Sequence, residues 1–286
     1  MKTMKRTVSI QDISCFGRCS LTVALPVLSA MGIETAILPT ALLSTHTGEF
    51  KGYTFRDLTE EMLPITEHWK KEGIAFDSIG TGYLGSDEQI AVVMKIIDDF
   101  GKDALVFVDP VMADHGKLYA GFDADFPKKM AKLCAKADVI VPNMTEAALL
   151  LGEPYLSSGY DEAYIRRMLR RLTQTLGSPV AILTGVVYEP TKQGVVAYDA
   201  KEDKFYSYFG ENVPTTFHGT GDVFSSSLCG ALTLGAPLAD AIALAVDFTL
   251  DAIRHTLGTR ETYWYGVNFE KALADLALRA KQISES

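Results

Sequence analysis

The 286-residue sequence has few of the features that mark metal-stabilised, secreted or membrane proteins. It contains four cysteines, none of them in a CxxC pair, and only Cys15 and Cys19 lie close together, with no histidine nearby. Zinc sites need Cys and His ligands at short spacings, so no zinc site is expected. The N-terminal segment lacks the apolar stretch of a signal peptide, and the richest apolar region is broken by Pro237 and Asp240. We therefore expect a cytoplasmic protein without a membrane span.

The sequence also has fewer basic than acidic residues. It contains 27 Lys and Arg residues and 36 Asp and Glu residues, which gives a net charge of -9. This balance argues against a nucleic-acid or anionic-membrane partner, although one local pocket could still bind a small phosphorylated ligand. The sequence has no GK[ST] Walker motif, and Phe224 stands where a dinucleotide fingerprint beginning at Gly219 needs its third glycine. Any nucleotide site must be of another kind.

Apolar β-type segments alternate with helical patterns along the chain, whose residues are 48% hydrophobic. The predicted strands are 6–10, 33–40, 76–83, 104–110, 138–143 and 179–185, followed by a hairpin around the turn KEDK. The predicted helices are 20–32, 56–72, 86–100, 125–135, 144–151, 160–176, 220–235, 237–257 and 268–281. This alternation predicts an α/β fold with a mostly parallel central sheet and helices on both faces. No linker or repeat divides the chain, so residues 1–286 are predicted to form a single domain.

Ligands of parallel sheets gather where the strands end. The candidate residues are the polar ones that follow the predicted strands, namely Asp12, residues 45–48, Tyr83, Asp109, Asn143 and Thr184.

The segment Gly219-Thr220-Gly221-Asp222 opens a predicted helix. Free N–H groups at a helix start, approached closely through glycines, can hold a phosphate. Asp222 would repel that phosphate, unless it serves as the base that takes a proton from an attacking hydroxyl. The structural alternative is that Thr220 caps the helix and Asp222 favours the positive end of its dipole.

Three further segments are open to two interpretations each. In VDPVMAD, Asp109 and Asp114 are either magnesium ligands or the solvated carboxylates of a turn. In VPNMTE, Asn143 and Glu146 have the spacing of a capping box, and the same pair could reach magnesium or phosphate. In STHTG, His46 either belongs to a loop that closes over a substrate or is a solvated histidine.

Together these segments resemble the pyridoxal kinase branch of the ribokinase superfamily. The matching motifs are SIQD, STHTG, TGY, DPVMAD, PNMTEAALL, LTG and HGTGD, which extend from residue 9 to about residue 230. The combination of HTG with DPVMxD is more specific than GTGD, which many sugar and nucleoside kinases share. The resemblance implies a three-layer ribokinase-like sandwich without a separate lid domain, and a homodimer.

The resemblance also implies an activity, the transfer of the ATP γ-phosphate to a hydroxymethyl group on a pyridine ring. The Mg²⁺ ion and phosphates would be held by acidic and amide residues, and a monovalent cation such as K⁺ is often needed. The resemblance implies that Asp222 is the base and that Gly219, Thr220 and Gly221 form the anion hole. It implies that magnesium is held by Asp109, Asp114 and Glu146, and that ATP is bound by Asn143, Glu146 and Thr184. The substrate would be bound by Asp12, His46, Thr47 and Tyr83.

The sequence departs from the family pattern at three places. Asp12 replaces a serine that typically faces the ring nitrogen, GRCSL replaces GYVGN, and Val141 replaces a common threonine. A carboxylate would bind a protonated ring nitrogen, or the ammonium of pyridoxamine, better than an uncharged partner. We therefore hypothesise a vitamin B6 kinase that favours pyridoxamine.

The nearest alternative is a hydroxymethylpyrimidine kinase of the same superfamily, or an enzyme with both specificities. Hydroxymethylpyrimidine kinases commonly have a cysteine where this chain has Asp222, which argues against this alternative. A sugar or nucleoside kinase would show an early lid and diol ligands, which the sequence lacks. A non-catalytic sensor would have no use for an intact base.

Overall fold

Strands and helices alternate along residues 3–285, the part of the chain that the computed structural model describes. The strands are β1 (Arg6–Ser14), β2 (Glu34–Leu43), β3 (Phe55–Asp57), β4 (Ser78–Thr81), β5 (Leu105–Val108), β6 (Ala113–Asp114), β7 (Lys117–Leu118), β8 (Val139–Ile140), β9 (Val180–Glu189), β10 (Lys192–Asp199) and β11 (Lys204–Glu211). The helices are α1 (Leu21–Ala30), α2 (Thr59–Lys71), α3 (Asp87–Phe100), α4 (Phe126–Cys134), α5 (Met144–Leu151), α6 (Glu162–Leu176), α7 (Thr220–Thr233), α8 (Leu238–Leu257) and α9 (Leu273–Glu285).

Within residues 3–285 one nine-stranded sheet has the order β11-β10-β9-β8-β5-β4-β1-β2-β3. The strands from β9 to β2 are parallel to one another, whereas β10 pairs antiparallel with β9, β11 pairs antiparallel with β10, and β3 pairs antiparallel with β2 at the other edge. The carboxyl ends of the parallel strands therefore meet along one edge, where the polar residues predicted from the sequence can come together.

Apolar side chains fill two layers, one on each face of this sheet. Helices α2 to α6 cover one face, and helices α1, α7, α8 and α9 cover the other. Strand β5 contributes to both layers, because Val106 and Val108 point to the first and Phe107 to the second. The predicted three-layer arrangement is thus confirmed. Among residues 3–285, no helix is both long and apolar enough to cross a bilayer.

The short elements are where prediction and structure differ. The helix predicted from residue 56 begins at Thr59, because residues 55–57 pair with β2 as an edge strand. The ribbon of β6 and β7 was not predicted, and only Val139–Ile140 of the segment 138–143 is a strand. Asp12 and Thr184 were expected to follow their strands, but they lie inside β1 and β9, because β1 pairs with β2 as far as Ser14 and β9 pairs with β10 as far as Glu189.

Candidate active site

The residues predicted from the sequence lie along the carboxyl edge of the sheet. Asp109 directly follows β5, Tyr83 follows β4, and Asn143 pairs with Thr184 in an isolated parallel bridge beyond β8. Asp12 is close enough for its charge to raise the pKa of Tyr83 and of Asp222. Strand ends and the start of α7 therefore face one site.

The start of α7 has no side-chain cap. Gly219 is the N-cap residue, in the left-handed conformation with φ of 79°, and Thr220 is already helical. The Thr220 hydroxyl donates to the carbonyl of Phe217 at 3.3 Å, so the interpretation of Thr220 as the cap is wrong. A Cβ added to Gly221 would have no heavy atom within 4 Å. The N–H groups of this first turn therefore have no side-chain cap, and no side chain at Gly221 hinders the approach of an anion.

Asp222 lies in the same first turn and is partly buried. Burial raises its pKa to about 7, the charge of Asp12 raises it as well, and a hydrogen bond from the Ser20 backbone N–H lowers it. A carboxylate that titrates near neutral pH is well matched to proton transfer, because it is both ionised and basic at working pH.

Asp12 is a buried carboxylate on β1, with 5% of its surface exposed. Ser14 Oγ donates to its Oδ2 at 2.9 Å, and Ser20 Oγ donates to its Oδ1 at 2.6 Å. Burial raises the pKa of Asp12, and these hydrogen bonds lower it. Within residues 3–285, no Lys, Arg or His side chain forms an ion pair with it. Its hydrogen bonds are satisfied, but its charge is not compensated.

Asp109 faces the first turns of α7. Its Oδ2 accepts a hydrogen bond of 2.5 Å from Ser225 Oγ, and burial together with the charge of Asp222 raises its pKa. Burial and Asp109 likewise raise the pKa of Glu146. Mutually repelling buried carboxylates of this kind favour a bound cation.

No preassembled metal centre is present among residues 3–285, where no three His, Cys, Asp or Glu side chains converge. Mg²⁺ in kinases is usually held by only one or two carboxylates, with water and substrate phosphates completing its shell. Asp109 and the exposed Asp114 fit this pattern, since both carry carboxylate oxygens and the charges of both raise the pKa of Tyr119. The donor set therefore fits a magnesium ion that enters with the nucleotide.

Asn143 and Glu146 form the predicted capping box of α5. Asn143 Oδ1 accepts from the backbone N–H of Thr145 and Glu146, and Glu146 Oε2 accepts from that of Asn143 at 2.9 Å. The same two side chains hold the segment after Asp109, since Glu146 Oε1 accepts from Met112 N at 3.0 Å and Asn143 Nδ2 donates to Ala113 O at 2.8 Å. The capping interpretation is confirmed. A role of either residue toward ATP or magnesium stays a prediction.

His46 anchors the loop after β2. Its Nε2 lies 2.8 Å from the carbonyl oxygen of Tyr265, and its Nδ1 accepts from the Gly48 N–H at 3.1 Å. These partners fix the tautomer with the proton on Nε2, and burial lowers the pKa of the ring. Both ring nitrogens are engaged, whereas the neighbouring Thr47 is exposed. A neutral His46 therefore positions Thr47.

Two serines at the site were not among the predicted residues. Ser225 contacts Asp109, and Ser20 contacts both Asp12 and Asp222. Ser225 falls one helical turn after Asp222, so helix periodicity could have suggested it. Ser20 lies in the GRCSL departure, but its contacts depend on an unusual backbone conformation with φ of 55°.

The mostly parallel sheet and the glycine-flanked helix start define a ribokinase-like kinase, and solved structures agree. A pyridoxal kinase from Lactobacillus plantarum is 32% identical, with a TM-score of 0.89 over 98% of this chain and 99% of its own. A Bacteroides thetaiotaomicron protein provisionally called a phosphomethylpyrimidine kinase, crystallised with pyridoxal, is 42% identical, with a TM-score of 0.90 over 96% of both chains.

The chain belongs to the phosphomethylpyrimidine kinase family, whose sequence model matches residues 24–265. A pyridoxine/pyridoxal/pyridoxamine kinase of Bordetella avium is 28% identical over 87% of this chain and 84% of its own length. The resemblance to pyridoxal kinases and the assignment as a phosphotransferase of that type are thereby confirmed.

Proposed function

We propose that this chain, acting as one domain, transfers the γ-phosphoryl group of ATP to the 5′-hydroxymethyl group of pyridoxal, pyridoxamine or pyridoxine. One observation carries the proposal. Asp222, with its pKa raised to about 7, lies in the first turn of a helix whose N–H groups have no side-chain cap. A base and an anion hole thus share one helical turn. Support for the substrate class comes from the pyridoxal kinase of Lactobacillus plantarum and the pyridoxal complex from Bacteroides thetaiotaomicron.

In the proposed reaction, Asp222 takes the proton of the substrate hydroxyl as its oxygen attacks the γ-phosphorus. The bond between that phosphorus and the β,γ-bridging oxygen breaks, and ADP leaves with the electron pair. The N–H groups of Gly219, Thr220 and Gly221 donate to the phosphoryl oxygens, where negative charge is spread in the transition state. Because Gly221 has open space before it, the phosphate can approach this turn closely.

The remaining predicted residues surround this centre. Asp109 and Asp114, with Glu146 behind them, would hold Mg²⁺, which would neutralise phosphate charge when bound. Asn143 and Thr184 would lie beside the ATP phosphates at the end of β8 and in β9. A monovalent cation, a homodimer and a cytoplasmic location remain predictions that follow from the resemblance and composition.

The substrate ring would lie between Asp12, Thr47 and Tyr83, with His46 holding the Thr47 loop. Tyr83 is partly buried and packs against Phe122, with ring centroids 5.7 Å apart. The contact with Phe122 holds the Tyr83 ring in place, so that a heteroaromatic substrate ring could stack against it.

Hydroxymethylpyrimidine phosphorylation is the second candidate. It is supported by the family to which the chain belongs, which is described as phosphomethylpyrimidine kinase. Asp222 speaks against it, because hydroxymethylpyrimidine kinases commonly have a cysteine at this position. The two activities differ only in the acceptor ring, so they can be compared in one assay.

The deciding experiment is ATP consumption by the purified protein with pyridoxal, pyridoxamine, pyridoxine and hydroxymethylpyrimidine. We expect turnover of the pyridines, and a loss of about 10²- to 10⁴-fold in kcat for Asp222→Asn with ligand affinity retained. Turnover of the pyrimidine alone would support the second candidate. Binding without turnover, unchanged by Asp222→Asn, would indicate a sensor and contradict both.

A further inference from the structure

His218 comes directly before the anion hole and has no part in the reaction proposed above. Its imidazole is partly buried and lies against the backbone of Gly48, which belongs to the Thr47 loop, residues 44–50. A Cβ added to Gly48 would stand 2.6 Å from His218 Cε1 and 2.8 Å from Nδ1, closer than non-bonded atoms approach. The Thr47 loop and the turn before α7 are therefore in direct contact, with no side chain between the Gly48 backbone and the ring.

Packing holds the His218 ring in this place. It lies beside the ring of His46, with the centroids 5.0 Å apart and the planes tilted by 41°. Its Nε2 is 3.6 Å from an oxygen of Glu49, whose side chain is 73% exposed. So exposed an ion pair contributes little, because water screens it. The contacts with His46 and Gly48, and not the charge of Glu49, therefore fix the ring.

A third segment joins the loop and the turn from the other side. The Tyr265 carbonyl is bound to His46 Nε2 at 2.8 Å, and the Val267 N–H donates to the His218 carbonyl at 3.3 Å. Each of the three segments thus contacts the other two. The loop cannot move toward or away from the anion hole without breaking one of these contacts.

We propose that His218 is a positioning residue whose contact with Gly48 sets the separation between the acceptor ring and the anion hole. The inference rests on the proposed function, which places Thr47 beside the acceptor and the phosphate at the turn from Gly219. An acceptor hydroxyl displaced by about 1 Å from the phosphorus can slow transfer by about 10²-fold. A rigid ring between the two segments protects this alignment.

The first test places a methyl group in this contact. In Gly48→Ala it would push the Thr47 loop and His218 apart, and we expect kcat for the vitamer to fall by at least about tenfold. The φ of Gly48 is not positive, so the imidazole rings and not backbone strain oppose the alanine. KM for ATP should change by less than about threefold. Gly258→Ala is the matched control, because its φ is -75° and its Cβ would meet nothing within 4 Å.

The second test removes the ring that the methyl group meets. We expect kcat of the Gly48→Ala/His218→Ala double variant to exceed that of Gly48→Ala by at least about threefold, although His218→Ala alone lowers kcat. Recovery should be partial, because the added Cβ also lies 3.3 Å from His46 Nδ1. Glu49→Gln should retain the wild-type kcat. General damage to the fold would not be relieved by a second substitution that is harmful by itself.

Each result decides the inference. A wild-type kcat in Gly48→Ala, or a loss that His218→Ala does not relieve, would overturn it and leave the kinase proposal intact. A raised KM for the vitamer with unchanged kcat would also overturn it, because the contact would then serve affinity and not alignment. If Gly48→Ala does not fold, an unchanged kcat in His218→Ala would have the same meaning. A wild type that phosphorylates neither the B6 vitamers nor the pyrimidine would refute the proposed function itself.

Discussion

Ser225 Oγ donates a hydrogen bond of 2.5 Å to Asp109 Oδ2, and this contact joins the start of α7 to the carboxyl end of β5. This hydrogen bond favours the ionised form of Asp109, because it lowers a pKa that burial and the charge of Asp222 raise to about 7. The serine thus supports the carboxylate that we assign to magnesium.

Replacing Ser225 by alanine should weaken magnesium activation. Without the hydrogen bond, the pKa of Asp109 rises further, so more of this carboxyl is protonated near neutral pH and unable to hold the ion. We expect the magnesium concentration for half-maximal rate to rise by about tenfold at about pH 7, and by less at about pH 8.5. Ser227→Ala is the control, because Ser227 Oγ bonds only to carbonyls of its own helix. Equal magnesium dependence in all three proteins would contradict the assignment of Asp109.

The two glycines of the anion hole should respond differently to a methyl group. At Gly221 a Cβ meets nothing within 4 Å, so Gly221→Ala should fold normally. The added methyl group would hinder the close approach of a phosphate to this turn, and we expect kcat/KM for ATP to fall by at least about tenfold. At Gly219 the φ of 79° and the contact of 1.9 Å with Arg18 O should instead destabilise the protein by about 1–3 kcal/mol. Thermal unfolding and ATP kinetics of both variants test this, and an active Gly221→Ala would exclude this turn as the phosphate site.

The rate should depend on pH near neutrality. The pKa of Asp222 is raised to about 7, so its carboxyl is protonated below that pH and cannot accept the substrate proton. We therefore expect kcat/KM to rise about tenfold per pH unit on the acid side and to level off above about pH 7. Asp222→Asn should lose this dependence along with the rate. A wild-type profile that is flat from about pH 5 upward would show that no group with a raised pKa acts as base.

Removing the His46 side chain should affect substrate binding more than chemistry. His46 holds the loop to Tyr265 and Gly48 through both ring nitrogens and has none free to act as base. For His46→Ala we expect KM for the vitamer to rise by about tenfold while kcat changes by less than about threefold, since a loosened loop binds less well. His68→Ala is the control, because His68 lies exposed on α2. A collapse of kcat with unchanged KM would assign His46 a direct part in the chemistry.

Long, well-patterned elements could be predicted from the sequence, and short ones could not. The helix predicted at 160–176 is α6 (Glu162–Leu176), which Asp161 caps and Gly177 ends, and its buried apolar residues recur at helical spacing. Strands β3, β6 and β7 have only two or three residues each, too few to show a period, and they form only because a partner lies beside them.

The same distinction applies to the site. Asp109, Tyr83 and Asn143 could be located because a parallel sheet brings strand ends together, whatever the details of packing. Ser20 could not, because its role depends on a positive φ and on contacts with Asp12 and Asp222, which are far apart in sequence. Neither condition leaves a pattern in a single sequence.

The close approach of Gly219 to Arg18 O has a consequence for how the protein acquires its activity. The two segments in contact are 201 residues apart in sequence (219 − 18), so this contact forms only when α1 and α7 have both docked on the sheet. A chain that still lacks its last third lacks the turn from Gly219 to Asp222, which we propose as the phosphate site. In refolding, we therefore expect kinase activity to recover late, after most of the helical circular dichroism signal has returned.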